Sequence, residues 1–201
     1  MVDTISATAL QRAKSLAVVV IDIQRGPFES DPQPFDAAAV IERINSVTAK
    51  ARAAGIPVIF IAHDGPPDPD WRRPDGWDLH PDLQIAPGEI IIRKTTADAF
   101  LGTKLEEMLR GSGIESLLLM GYATDFCLDA TVRNAASKGF EIFVVADAHT
   151  TNDTPELKAP LIQRHFNLIW PDSFTNRPVH VLPAVQVRFG TKNKAAPPGA
   201  A

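Results

Sequence analysis

Short apolar runs alternate along the chain with segments in which apolar residues recur every three or four positions. The clearest run, 16–23 (LAVVVIDI), is nearly all apolar and β-branched, which is typical of a strand covered on both faces of a parallel sheet. The same reasoning predicts strands over 57–62, 89–93, 117–120, 140–146 and 179–182, and helices over 37–52, 103–110, 124–138 and 154–166. Strands that alternate with helices predict an α/β fold with a mostly parallel sheet and helices on both faces.

Residues that mark helix starts, loops and the tail refine this division of the chain into strands and helices. Asp36 is the predicted N-cap of the 37–52 helix, and Pro155 occupies a tolerated first position of the 154–166 helix. Residues 65–81 hold five prolines and two tryptophans, Trp71 and Trp77, and loops of this length inside a compact domain are usually functional. Residues 191–201 have little to bury, so we predict a single domain over 1–190 followed by a flexible tail.

The composition narrows the classes of partner. With 201 residues, 45% of them hydrophobic, the chain can form one sizeable core. Its net charge is −4 and it has no basic block, so we predict neither nucleic acid nor a membrane as a partner. The single cysteine excludes an internal disulfide and a thiolate-rich zinc site. The first 14 residues hold no apolar segment and no run approaches a membrane span, so we expect a soluble protein of a reducing compartment, most simply the cytoplasm.

Three titratable residues follow predicted strands: Asp22, Lys94 and Cys127. The carboxyl ends of parallel strands meet at one edge of the sheet, so we expect these side chains to converge there. An acid, an amine and a thiol in one place indicate nucleophilic catalysis. In this interpretation Asp22, whose pKa burial should raise, takes the thiol proton, and Lys94 holds the carboxylate or the thiolate in place.

Cys127 lies at a strand-to-helix turn, where the helix N-terminus is expected to lower the thiol pKa. Unpaired N–H groups of the 122–127 turn are candidates to bind an oxyanion. Each of the three residues also has a structural interpretation. Cys127 could be a small buried hydrophobe, Asp22 a buried acid that caps a loop, and Lys94 a solvated lysine at a strand end.

Three ordered motifs resemble the isochorismatase-like cysteine hydrolases, a family that includes nicotinamidases and N-carbamoylsarcosine amidohydrolase. The segment 18–24 (VVVIDIQ) is similar to the family's first strand and catalytic aspartate. The segment 92–95 (IRKT) is similar to its lysine segment, and 121–131 (GYATDFCLDAT) to its nucleophile segment. The resemblance covers about 16–150, most of the domain.

The resemblance implies a three-layer α/β/α sandwich around a six-stranded, mostly parallel sheet, with Asp22, Lys94 and Cys127 as the catalytic triad. It also implies a cis peptide bond between Tyr122 and Ala123, and an oxyanion hole formed by the backbone N–H groups of Ala123 and Cys127. Family members often form dimers or larger oligomers, so we predict a homo-oligomer, a dimer or a tetramer.

Departures from the family pattern bear on the reaction. Members that hydrolyse isochorismate commonly lack the cysteine, so Cys127 favours amide chemistry. Nicotinamidases carry an Asp-x-His metal pair after the second strand, whereas this chain reads AHDGPP over 62–67. His63, Asp64 and His80 could ligate a metal in principle, but the expected spacing is missing, so we predict no metal and no other cofactor.

The segment 76–81 (GWDLHP) resembles the loop that covers the active site in small, metal-free members. We predict that Phe28, Trp77, His80 and Tyr122 bind the substrate. For Trp77 and His80 the alternative is a packing loop, with the indole filling a gap and the imidazole bonding a backbone carbonyl. Phe126 could form an apolar wall of the pocket, but a core position is favoured. The remaining histidines are predicted to be structural or exposed: His149, His165 and His180.

The leading hypothesis is therefore a metal-independent cysteine hydrolase that cleaves a small amide or a related linear C–N bond through a thioester. Its partner would be a small-molecule substrate. Two alternatives remain open. The first is an isochorismatase- or nicotinamidase-type hydrolase, and the second is a non-catalytic member that uses the fold for binding.

Overall fold

The computed structural model describes residues 4–65, 76–172 and 177–190. The predictions for Trp71 and for the 191–201 tail therefore lie outside the described residues. The described chain contains six strands, whose bounds are β1 Leu16–Ile21, β2 Val58–His63, β3 Ile90–Lys94, β4 Ser116–Tyr122, β5 Glu141–Thr150 and β6 Val179–Leu182.

The strands form one sheet in the order β3-β2-β1-β4-β5-β6. All five neighbouring pairs are parallel, which confirms the predicted six-stranded α/β fold. From β1 the chain continues outward through β2 to β3 on one side of the sheet, and then through β4 and β5 to β6 on the other side. The carboxyl ends of β1 and β4 therefore flank a crevice of the kind in which α/β proteins bind ligands.

Helices cover both faces of the sheet. Their bounds are α1 Thr4–Arg12, α2 Arg25–Phe28, α3 Ala37–Ala53, α4 Leu105–Gly111, α5 Asp129–Ser137 and α6 Ala159–Ile169. Val18 and Val20 of β1 pack toward α1 and α3, whereas Val19 and Ile21 pack toward α4 and α5. This alternation follows from the two-residue period of a strand, and burial on both faces explains why β1 is apolar throughout. None of the described helices combines the length and the apolarity needed to cross a membrane.

One of two predicted helix starts is confirmed and the other is wrong. α3 begins at Ala37 with Asp36 in the N-cap position, as predicted, although the Asp36 side chain bonds to no helical N–H and pairs instead with Arg43 at 2.8 Å. α6 begins at Ala159 rather than at residue 154, because Thr154 closes a separate turn through its bonds with Leu157. The sequence pattern also gave no sign of α1.

Gly121 allows β4 to lie against β1 at the edge that carries the site. Its φ is 130°, and a Cβ at this position would lie 2.0 Å from the Ile21 carbonyl oxygen. Beside it, the register between β4 and β5 shifts between Leu119 and Gly121. A side chain here could fit only if the two central strands moved apart.

We expect Gly121→Ala to destabilise the fold by about 4 kcal/mol or more, because the methyl group meets rigid backbone as well as an unfavourable φ. Gly139→Ala is the matched control, since Gly139 has a φ of 83° but no atom within 4 Å of its Cβ position. That change should cost about 1–2 kcal/mol. Urea unfolding of both variants checks the difference, and equal losses would contradict the close approach.

Candidate active site

The carboxyl edge of the sheet brings together the three residues predicted to react. Asp22 directly follows β1, Lys94 is the last residue of β3, and Cys127 lies in a single-turn π-helix, Thr124–Leu128, between β4 and α5. Asp22 has a φ of 51°, a left-handed conformation that aspartate adopts more readily than most residues. Its N–H donates to Ile61 of β2 at 3.0 Å. The local backbone thus fixes the carboxyl group at the edge of the sheet.

Lys94 Nζ is the centre of the cluster. It lies 2.6 Å from Asp22 Oδ2 and 3.2 Å from Cys127 Sγ. It also contacts the Thr96 carbonyl oxygen at 3.0 Å and His63 Nδ1 at 3.0 Å. The Lys94 side chain is 0% exposed and that of Asp22 is 5% exposed, so the ammonium and the carboxylate neutralise each other out of water.

The Asp22 carboxyl group is arranged to accept a proton. Its contact with Lys94 is a close ion pair, and within the described chain neither carboxyl oxygen has an aligned hydrogen-bond partner. Burial raises the pKa of Asp22 above its usual range, opposed by the charge of Lys94. A carboxylate with a raised pKa is a stronger base than one in water.

The Cys127 thiol is predominantly protonated in this environment, contrary to the expectation from the helix N-terminus. Burial, followed by the negative charge of Asp22, raises the pKa of the thiol to about 11. Lys94 opposes this shift but does not overcome it. Cys127 lies in the first helical turn, as predicted, but burial of the thiol outweighs the effect of the helix dipole on its pKa. A nucleophile here needs a base at the moment of attack.

The turn before Cys127 presents the backbone groups predicted to form an oxyanion hole. The Tyr122–Ala123 peptide bond is cis. The N–H groups of Phe126 and Leu128 donate to the Ala123 carbonyl oxygen at 3.1 and 3.0 Å. That carbonyl takes no bond from the Cys127 N–H between them. Ala123 and Cys127 both line the same cavity, and their N–H groups stay candidates for binding an oxyanion.

A cavity of about 420 Å³ opens above the cluster. Its wall combines the reactive residues with apolar side chains, namely Asp22, Gln24, Pro27, His63, Gly65, Trp77, Ala97, Tyr122, Ala123, Phe126 and Cys127. Trp77 and Tyr122 thus lie where the sequence predicted substrate-binding residues. Trp77 fits closely because a Cβ on Gly65 would lie 2.2 Å from its indole.

Phe126 corrects one prediction. It was expected in the core, but it is 65% exposed and lines the cavity beside Cys127. Its exposed ring can therefore meet a ligand or another surface.

Phe28 and His80 are not among the residues that line the cavity, and their part in substrate binding stays a prediction. Phe28 is 1% exposed and packs edge-on behind Tyr122 at 5.6 Å. His80 lies edge-on to Phe28 at 6.1 Å, and its Nδ1 accepts the Asp82 N–H at 3.3 Å. Both residues support the wall from behind, in keeping with the packing alternative for His80.

The sequence analysis considered His63 only as a metal ligand, and it did not identify Gln24 as a site residue. Gln24 Oε1 accepts the His63 N–H at 2.9 Å, and its Nε2 donates to the carbonyl oxygens of His63 at 2.9 Å and Trp77 at 2.6 Å. This side chain therefore ties the ends of β1 and β2 to the Trp77 loop. The sequence did contain a signal for His63, because this residue ends β2, the strand between those that carry Asp22 and Lys94.

The metal set considered from the sequence does not converge. His63 contacts Lys94, Asp64 pairs with Arg93, and His80 contacts Asp82. Among the described residues, the donors that come within 4.8 Å of one another belong to Asp22, His63 and Cys127. Lys94 Nζ contacts all three of these residues, so an ammonium lies where a metal held by them would bind. The donor set does not fit a metal while Lys94 is charged.

The buried His149 side chain contacts the first residue of the π-helix. Its Nδ1 lies 2.8 Å from Thr124 Oγ1 and its Nε2 lies 3.0 Å from Asn167 Oδ1. Asn167 Nδ2 donates to Ala146, so Oδ1 accepts from His149 and the ring proton sits on Nε2. The ring is 0% exposed, whereas His165 is exposed and His180 stacks on Phe143 at 4.7 Å.

This neutral histidine predicts a specific pH dependence of stability. Burial lowers the pKa of His149 to about 4, below the value of 6.5 for an unfolded chain, so only the unfolded state binds a proton between these values. The stability linked to His149 is complete above pH 6.5 and falls as pH drops toward 4, by on the order of 3 kcal/mol.

We expect His149→Gln to flatten the unfolding free energy between pH 6.5 and 4 in urea titrations. His165→Gln, which changes an exposed histidine, should leave the wild-type slope unchanged. A wild-type slope in the His149→Gln variant would contradict the buried neutral ring.

Comparisons with known proteins agree with this fold. Residues 16–166 match the family model described as the Isochorismatase domain. A streptothricin hydrolase of Streptomyces noursei is 34% identical over 140 residues, covering 69% of this chain and 51% of that relative, so the chain spans about half its length. A ureidoacrylate amidohydrolase of Pseudomonas savastanoi pv. phaseolicola is 32% identical over 169 residues, covering 66% of this chain and 69% of that protein.

A solved structure supports the same assignment. The crystal structure of an isochorismatase family protein superimposes with a TM-score of 0.74 at 31% identity, covering 85% of this chain and 99% of that chain. The family model spans all three motifs, from β1 through the lysine segment to the nucleophile segment and beyond. The chain belongs to the isochorismatase family.

Proposed function

We propose that the protein is a cysteine hydrolase that cleaves a small amide, or a related linear C–N bond, through a thioester on Cys127. One observation carries the proposal. Lys94 Nζ contacts both Asp22 Oδ2 at 2.6 Å and Cys127 Sγ at 3.2 Å at the floor of a cavity. A buried base, a thiol and a fixed cation in contact are the parts that nucleophilic attack on a carbonyl needs.

In the first half-reaction the Cys127 sulfur attacks the amide carbon while its proton passes to the Asp22 carboxylate. The thiol pKa of about 11 and the raised pKa of Asp22 make a transfer concerted with attack more favourable than a resting thiolate. The carbonyl π electrons move to oxygen. The resulting oxyanion would be held by the N–H groups of Ala123 and Cys127. Lys94 stays charged and offsets the negative charge that moves from carboxylate to sulfur.

Collapse of the tetrahedral intermediate breaks the C–N bond, and the leaving nitrogen takes the proton from Asp22. The product amine or ammonia departs and leaves a thioester. In the second half-reaction Asp22 removes a proton from water, the hydroxide adds to the thioester carbon, and the C–S bond breaks as the sulfur recovers the proton. The net reaction consumes one water and releases a carboxylic acid and an amine.

The names of two relatives support this proposal to different degrees. One is a ureidoacrylate amidohydrolase, which names the same bond class, and the other is a streptothricin hydrolase, which names a hydrolase. For this chain the apolar cavity wall favours a small substrate with an apolar body. The nicotinamidase-type alternative is less supported, because its metal ligands have no converging counterpart among the described residues.

A screen of primary amides, carbamoyl compounds and ureido compounds, followed by ammonia release, tests the proposal. We expect hydrolysis of at least one of these classes by the wild type, unchanged when EDTA is added. Nicotinamide serves as the discriminating compound. Ammonia release from nicotinamide that is lost with EDTA and restored by a divalent metal would replace the proposal with a metal-dependent nicotinamidase.

A further inference from the structure

His63 offers the cavity a hydrogen-bond donor that the steps above do not use. An ammonium has only N–H groups and no lone pair, so His63 Nδ1, at 3.0 Å from Lys94 Nζ, must accept. Burial and the charge of Lys94 lower the pKa of His63, so the ring is neutral near pH 7. The single ring proton therefore sits on Nε2.

The ring is held in place from two sides. It stacks on Trp77 with 5.9 Å between ring centroids and 23° between the planes. Its backbone N–H and carbonyl are both bonded to the Gln24 side chain. Because Gln24 bonds to the backbone of His63 rather than to its imidazole, a substitution at position 63 leaves these hydrogen bonds intact. The donor at Nε2 is thus preorganised, which reduces the entropy lost when a ligand binds.

Neighbouring polar side chains of the wall are already engaged. The Gln24 amide bonds to His63 and Trp77, and the Tyr122 hydroxyl donates to Asn152 Oδ1 at 2.7 Å. Asp22 can only accept while it is ionised. No described residue accepts a hydrogen bond from His63 Nε2, so this N–H is a side-chain donor that is left for a ligand.

The location of His63 in the cavity decides which ligand atom its Nε2–H would meet. The Asp22 carboxylate, the Cys127 sulfur and one ring nitrogen of His63 lie within 4.8 Å of one another. His63 also lines the cavity, so a group attached to the carbon attacked by Cys127 passes close to the imidazole. We infer that His63 Nε2–H donates a hydrogen bond to a second acceptor oxygen of the substrate, one or two bonds from the attacked carbon. This rests on the proposed function, in which the scissile oxygen itself binds the backbone N–H groups.

Alkylation tests the donor without requiring turnover. Cys127 is the single cysteine, so the modified site is defined. Its sulfur displaces iodide from iodoacetamide, forms a C–S bond and loses its proton to the base. The carboxamide oxygen then lies two bonds from the attacked carbon. Methyl iodide reacts in the same way but carries no acceptor, so the ratio of the two second-order rate constants cancels changes in thiol reactivity.

Two variants separate the two ring nitrogens. His63→Gln can place an N–H near the position of Nε2, whereas His63→Asn can keep an acceptor near Nδ1 but not the donor. We expect the iodoacetamide to methyl iodide ratio to fall about tenfold in His63→Asn and to stay within about twofold of the wild type in His63→Gln. Circular dichroism and thermal unfolding check that both variants are folded.

Two results would overturn the inference. An unchanged ratio in His63→Asn means that the imidazole does not bind the acceptor, and equal losses in both variants mean that the ring acts only by packing. The proposed function fails separately. If the screen finds no hydrolysed amide but the ratio falls in His63→Asn alone, the donor assignment is supported and the hydrolase proposal is wrong.

Discussion

Replacing Cys127 with alanine is expected to lower kcat for any amide found in the screen by about 10⁴-fold or more, because the chain then has no thiol to form the acyl intermediate. Cys127 lies on the cavity floor in contact with Lys94, and its truncation leaves the apolar wall in place. Substrate binding should therefore persist, which calorimetry on the inactive variant measures directly.

Cys127→Ser is the companion variant. It keeps a donor of similar shape near Asp22 and Lys94 but offers a much weaker nucleophile, so we expect kcat to stay at least about 100-fold below the wild type. Circular dichroism should show the wild-type fold for both. Undiminished hydrolysis by Cys127→Ala would contradict the mechanism.

The buried ion pair predicts the second large effect. Lys94→Met removes the charge that neutralises Asp22 in a site where both side chains are almost fully covered. We expect a loss of about 3–5 kcal/mol in the free energy of unfolding near pH 7, moderated to the extent that Asp22 takes up a proton. Hydrolysis should be lost as well, because a protonated Asp22 cannot receive the thiol proton.

A double-mutant cycle isolates the pair. Asp22→Asn in the Lys94→Met background removes both charges, so the double variant should be more stable than Lys94→Met alone. Lys138→Met is the control, because it breaks a partly exposed pair with Glu106, whose side chains are 28% and 39% exposed, and should cost within about 1 kcal/mol. Additive losses in the Asp22–Lys94 cycle would contradict strong coupling between these residues.

The pattern of hydrophobic residues was sufficient to predict the strands of the sheet. The run 16–23 was read as a doubly covered strand, and β1 is buried on both faces. The rule that parallel strands end at one edge of the sheet also predicts that Asp22, Lys94 and Cys127 lie together, since it depends only on strand direction. What the pattern could not supply was α1, or the start of α6, because these depend on tertiary packing and on one threonine turn.

The lining of the cavity was predicted less well than the cluster at its floor. Phe28, which was predicted on the wall, is buried, and Phe126, for which a core position was favoured over the wall, is exposed and lines the cavity. An aromatic residue in a loop or first turn can face either way, and sequence spacing does not fix its rotamer. The thiol pKa was misjudged for a similar reason, because burial depends on the whole fold whereas a helix terminus is local. The homo-oligomer and the cytoplasmic location stay predictions.

The most direct test of the thioester is a rapid-quench experiment on the best substrate of the screen. Acid quenching within the first turnover, followed by peptide mass spectrometry, should show the Cys127 peptide heavier by the acyl group of the substrate. The adduct should decay as the carboxylic acid appears, and it should be absent from Cys127→Ala. Hydrolysis in the wild type with no adduct at any quench time, under conditions in which a synthetic thioester of the peptide survives, would contradict the account.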